Sequence, residues 1–65
     1  MKEEVIKRFI NKEVRLVTNG HAIFGEIVEI QDDCIIFESK KAISAISFDA
    51  IDSIVLLHED GDIND

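Results

Sequence analysis

The stretch from Asn19 to Ser39, NGHAIFGEIVEIQDDCIIFES, decides how this chain folds. It reads as a turn, a long strand with a glycine inside it, a second turn and another strand. Asn19-Gly20 is the strongest short hairpin signal, because a two-residue primed turn needs positive φ and Asn-Gly tolerates it. Gly25 has a different meaning. Within a β-rich run the missing side chain weakens pairing but lets the strand bend sharply, as at a barrel corner. Ile23, Gly25, Ile27 and Glu29 share one parity, and Phe24, Glu26, Val28 and Ile30 the other. A strand with apolar residues on both faces sits in a closed sheet or touches a neighbour on its outer side. Asp32-Asp33 breaks the run with turn chemistry, and Cys34 to Ser39 resumes it. The expectation is a small, curved sheet.

Upstream, KEEVIKRFIN places Val5, Ile6, Phe9 and Ile10 on one stripe of helical period. Glu3 and Glu4 lie near its start, with Lys7, Arg8 and Lys12 toward its end, matching the helix dipole. Glu3 to Lys7 and Glu4 to Arg8 are spaced for ion pairs on a helix. So short a helix is unstable alone, so it must pack on something, as a lid on a barrel end. Glu13 to Thr18 is β-prone, with Val14 and Leu16 on one face and Arg15 and Val17 on the other.

Downstream, Lys40-Lys41 marks an exposed connection. Ala42 to Phe48 alternates Ile43, Ala45 and Ser47 against Ser44, Ile46 and Phe48, and Ile51 to Leu57 follows a brief interruption at Asp49-Ala50. The spacing predicts one mainly β (α+β) domain over residues 1–57, with a helix at 2–11 and strands at about 13–18, 21–31, 34–39, 42–48 and 51–57. Residues 58–65, HEDGDIND, read as an acidic, flexible tail.

A chain of 65 residues buries only about 60% of the surface that its unfolded form exposes. A core of that size rarely supplies more than about 3 to 5 kcal/mol, so such domains add disulfides, a metal or oligomerisation. Cys34 is the only cysteine, which removes an internal disulfide and fits a reducing cytoplasm. Cys34, His21 and His58 lack the paired spacing of a zinc site. Oligomerisation is left as the support. The charged first ten residues lack a signal-peptide core, and no span approaches a membrane-crossing length. A cytoplasmic location without membrane association is expected.

Net charge is -7, unevenly placed: residues 1–15 carry +2, and residues 16–39 hold five acids and no base. That balance disfavours coating nucleic acid through bulk charge but leaves room for a local basic rim. No phosphate loop, nucleophile elbow, paired metal-ligand motif or catalytic triad occurs, so neither an enzyme nor a cofactor is expected.

Five strands after a short helix, with Asn19-Gly20, four residues, Gly25 and Ile27 in the bent strand and Asp49-Ala50-Ile51-Asp52-Ser53-Ile54-Val55 in the last, resemble the Sm-like (LSm) superfamily. The second string looks like His-Ala-Ile-Ser-Thr-Ile-Val of the bacterial Hfq branch, and the resemblance covers roughly residues 3 to 57. It implies a strongly bent five-stranded antiparallel Sm-like/SH3-like barrel. It also implies that the fourth strand of one copy pairs with the fifth of the next, closing a ring of about six or seven subunits. Binding of single-stranded RNA is the activity it implies.

The chain departs from the family's RNA-contacting positions. The Lys-His pair at the pore falls on Phe48 and Asp49, and the loop aromatic is missing from Gln31, Asp32 and Asp33. The uracil-reading Asn falls near Cys34 and Ile35, and the positions of the opposite face fall near Leu16 and on Ala22 and Phe24. The RNA-binding candidates are Lys7, Arg8, Lys12, Asn19, His21, Lys40 and Lys41. Candidates for the interface between copies are Ile43, Ala45, Ile46, Phe48, Ile54, Val55 and Leu56. The resulting expectation is a homo-oligomeric ring that binds RNA with altered or weak specificity. The alternative is an acidic oligomeric scaffold that has lost RNA binding and recruits proteins through Phe24, Phe48 or its acidic surface.

Overall fold

The computed structural model describes residues 1–57, and residues 58–65, expected as an acidic tail, lie outside the described residues. The chain runs through α1 (Glu3–Ile6), a 3-10 turn (Lys7–Phe9), β1 (Glu13–Thr18), β2 (His21–Ile30), β3 (Cys34–Glu38) and β4 (Ile43–Ser47). A second 3-10 turn (Phe48–Ala50) leads into β5 (Ile51–Leu56). The strands form one antiparallel sheet in the order β4-β3-β2-β1-β5.

Local chemistry sets the first hairpin. Asn19 and Gly20 both adopt positive φ, 52° and 81°, as a primed turn requires. They close a ladder from Thr18↔His21 to Glu13↔Glu26. β2 then changes partner: its second half pairs with β3 from Glu26↔Glu38 to Ile30↔Ile35, with a bulge between Ile27 and Glu29. Gly25 sits at the changeover because β3 comes too close for a side chain there. A Cβ at that position would run into the Glu38 carbonyl and lie 3.0 Å from Cε2 of Phe37. The glycine answers a close approach of backbone.

The inward parity of every strand meets in one cluster. Val14 and Leu16 come from β1, Ile27 from β2, Ile35 and Phe37 from β3, Ile46 from β4 and Ile51 from β5, with Ile6 of α1 packed onto them. The inward face of β1 is thus the Val14 and Leu16 face, while Arg15 and Val17 stand half-buried on the other.

The N-terminal helix is shorter than its apolar stripe predicts. In place of a helix over 2–11, four α-helical residues tighten into the 3-10 turn, and the chain leaves through Asn11 at φ 62°. The sheet competes for the backbone: Ile10 bridges Ile27, and the Asn11 N–H donates to the Ile27 carbonyl at 2.8 Å. Those bonds replace the next helical ones, and no side chain caps the start at Lys2. Of the two expected ion pairs only Glu3–Lys7 forms, at 3.6 Å. In a 3-10 turn residues three apart eclipse, which turns Arg8 away from Glu4. Asn11→Gly is expected to be neutral or slightly stabilising, because glycine adopts this conformation freely. Asn11→Ile is expected to cost about 1 to 2 kcal/mol, read as the shift of the urea midpoint.

The turn before β5 ties two ends of the sheet together. The Ser47 hydroxyl accepts from the Asp49 N–H at 3.2 Å, the Phe48 N–H donates to the Asp33 carbonyl at 3.0 Å, and the Met1 amine donates to the Phe48 carbonyl at 2.7 Å. β1 has its expected limits, and the other four strands end slightly inside theirs. Among the described residues, no helix is long and apolar enough to cross a membrane.

Candidate binding surface

The partner change in β2 opens a groove. Its first half keeps β1 on one side, but the β3 ladder begins only at Glu26↔Glu38. Beyond Glu38 the chain turns back: the Ser39 N–H donates to the Ala42 carbonyl at 2.9 Å, and the Ser39 hydroxyl accepts from the N–H groups of Lys41 and Ala42 at 3.3 Å. A cavity of about 750 Å³ results, floored by Ala22 to Glu26, walled by Glu38 to Lys41 and closed by Glu13 and Leu57. Phe24 on its floor is 57% exposed, well above the near-complete burial of the other large aromatic in the sheet, Phe37.

Charge in the groove is divided. Lys40 and Lys41, on the turn after β3, wall one side, while the pairs Glu13↔Glu26 and Glu26↔Glu38 gather three carboxylates where the β3 ladder begins. Glu3–Lys7 is the only ion pair among the described residues, and neither lysine is in contact with a carboxylate of those residues. A second cavity of about 360 Å³, lined by Asn11, Lys12, Glu13, Glu26 and Leu56, shares two of those acids. Lys12 and the Lys40-Lys41 pair therefore flank one acidic centre.

The seven expected RNA-contacting residues do not form one cluster. Lys12, Lys40 and Lys41 border the two adjoining cavities. Lys7 and Arg8 lie exposed on the first 3-10 turn, and Lys7 is engaged by Glu3. Asn19 and His21 are exposed at the first hairpin, where the Gly20 N–H donates weakly to the Asp52 carboxylate at 3.4 Å. Asp49 is exposed beside half-buried Phe48. Cys34 is half-buried, and its thiol donates to Oε1 of Gln31 at 3.6 Å. Among the described residues, no group of three His, Cys, Asp or Glu is arranged to hold a metal ion.

The expected interface residues separate by exposure. Ile43 is 70% exposed, Val55 and Leu56 are more than two-fifths exposed, and Ala45 is exposed. Ile46 lies opposite Ile35 on the inward parity and belongs to the chain's own core. Phe48 and Ile54 are half-buried and packed against that core. Glu13, Glu26, Glu38 and Leu57 form part of the groove without being legible as site residues. Phe24, Lys40 and Lys41 were singled out by type, and Gly25 marked where the strand loses a side chain at the partner change. No family model, no curated protein and no solved structure matches this chain.

Proposed function

We propose that the chain is an Sm-like subunit, closest to the Hfq branch, whose bent five-stranded sheet closes a homo-oligomeric ring that binds single-stranded RNA with weak, altered specificity. The observation that carries the reading is the pair of sheet ends. β4 and β5 are the two edges of the sheet, and they present exposed Ile43 on one and Val55 and Leu56 on the other. Unpaired apolar edges are templates for aggregation. Pairing β4 of one copy with β5 of the next satisfies both, and a head-to-tail contact of that kind ends only when a ring closes. The small core supplies the energetic motive.

RNA binding rests on cations repeated around such a ring. Lys7, Arg8, Lys12, Lys40 and Lys41 are exposed, and phosphate contacts of this kind give affinity that falls steeply with salt. Light scattering after size exclusion is expected to give a hexamer or heptamer, and a monomer overturns the ring. Ile43→Lys combined with Val55→Lys is expected to yield monomers that keep their β-rich circular dichroism, because charged edges resist pairing. Oligo(U) and oligo(A) are expected to bind at low salt and release at high salt, with Lys7→Glu and Arg8→Glu together abolishing binding. Absence of binding at low salt removes the RNA reading and leaves the scaffold. The scaffold reading is favoured by one observation of its own, the divided charge of the groove around exposed Phe24.

A further inference from the structure

We propose that the groove beside the first half of β2 binds an extended peptide of a partner protein as an added β-strand, with an acidic residue toward Lys40 and Lys41 and a basic residue toward Glu13, Glu26 and Glu38. The inference goes beyond ring formation and RNA binding and depends on neither.

Backbone geometry comes first. In a two-residue primed hairpin the residues flanking the turn, here Thr18 and His21, exchange both hydrogen bonds. Alternation then directs the N–H and C=O groups of His21, Ile23 and Gly25 toward β1 and those of Ala22 and Phe24 to the other side. The same parity holds further along, where the Ile27 carbonyl faces the N-terminal side and accepts from Asn11. β3 supplies no partner at Ala22 or Phe24, because its ladder starts at Glu26, and no other backbone hydrogen bond among the described residues reaches them. Two donors and two acceptors of a strand edge therefore face the groove. A strand beside them, about 4.8 Å from β2, is the partner that such a row of groups fits.

Side chains then select the occupant. The residue that lies across from Phe24 gains an exposed aromatic neighbour, so an apolar residue is favoured there. Lys40 and Lys41, which make no ion pair among the described residues, wall the groove near Phe24, whereas the end where the β3 ladder begins carries three carboxylates. A nucleic-acid strand carries one sign of charge and would meet those carboxylates unfavourably. A peptide of mixed charge matches both ends. Lysines beside an open edge also discourage pairing of like copies, which suits an edge kept for a different partner.

The test uses the full chain, labelled with 15N, and a synthetic acetylated peptide, Arg-Thr-Ile-Thr-Val-Glu-Glu. With about 1 mM peptide, a concentration near the dissociation constant of a weak single-strand contact, about half of the protein is occupied and amide exchange at Ala22 and Phe24 is expected to slow about twofold. Amides of Ile23 and Gly25, already in the β1 ladder, are expected to stay unchanged. N-methylation of one alternate set of peptide residues is expected to abolish the effect and methylation of the other set to spare it, a signature that side-chain adhesion alone does not produce. Lys40→Glu with Lys41→Glu is expected to weaken binding about tenfold or more, the scale of a lost charge-assisted contact, with circular dichroism unchanged. No protection at that concentration, or equal tolerance of both methylated peptides, overturns the proposal. Protection produced by oligo(U) in place of the peptide assigns the groove to RNA and overturns it. Protection already present in the peptide-free protein shows that the chain's own residues or a second copy fill the groove, and overturns it too.

Discussion

Gly25→Ala is expected to abolish most of the cooperative folding of this chain, although it adds one methyl group. The new Cβ would meet the Glu38 carbonyl oxygen and carbon, which are backbone atoms held by the β2–β3 ladder, and Cε2 of Phe37 on the same side. A flexible side chain could swing away; a paired carbonyl moves only if its ladder moves. Overpacking of this kind costs about 1 to 3 kcal/mol, and more where nothing yields. Set against the roughly 3 to 5 kcal/mol that a core of this size supplies, it leaves little stability. Gly20→Ala is the informative control. No atom lies within 4 Å of its added Cβ, and the penalty comes only from φ +81°, about 1 to 2 kcal/mol. Urea melts at one fixed protein concentration should show Gly25→Ala far below Gly20→Ala, and that concentration matters because an oligomer's stability varies with it. A Gly25→Ala midpoint at or above that of the Gly20 variant would contradict the close approach of β3.

Phe37→Ala is expected to cost about 3 to 5 kcal/mol, enough by itself to depopulate the folded chain. Phe37 is the largest of the fully buried side chains, 1% exposed, and it pairs across the sheet with Ile27 close to Gly25. Removing its ring leaves a void bounded by paired strands, which cannot collapse freely. Phe37→Leu keeps most of the volume and is expected to cost less than about 1.5 kcal/mol. The two sites touch, so their effects should couple. Phe37→Leu in the Gly25→Ala background is expected to recover part of the loss, with the Glu38 carbonyl retaining the rest. Full recovery would show that the ring alone excludes a side chain at Gly25, and a Phe37→Ala cost below about 1 kcal/mol would place the core elsewhere.

Much of the fold was legible because its signals are local. Asn19-Gly20 demands a tight primed turn through its own φ preferences, Asp32-Asp33 and Lys40-Lys41 interrupt β-rich runs, and alternation marks which residues share a face. The element order and the approximate strand limits follow from these. The candidate site was legible only in fragments. Phe24, Lys40 and Lys41 could be singled out by type, but Glu13, Glu26, Glu38 and Leu57 join them only when β1, β3 and the end of β5 are brought together. The helix was overread for a related reason, since Asn11 exchanges a helical bond for one with Ile27, sixteen positions away.

By itself, then, the sequence determined the turns, the parity of each strand and a special position at Gly25. Tertiary structure alone decided that Val14 and Leu16 face inward, that Ile46 belongs to the core, and that β2 has no partner on the β3 side along Ala22 to Phe24. Periodicity records which side chains point the same way. Which way is inside, and where a strand edge goes unpaired, depend on the bulk and backbone of residues far along the chain. The Glu38 carbonyl opposite Gly25 is the clearest instance.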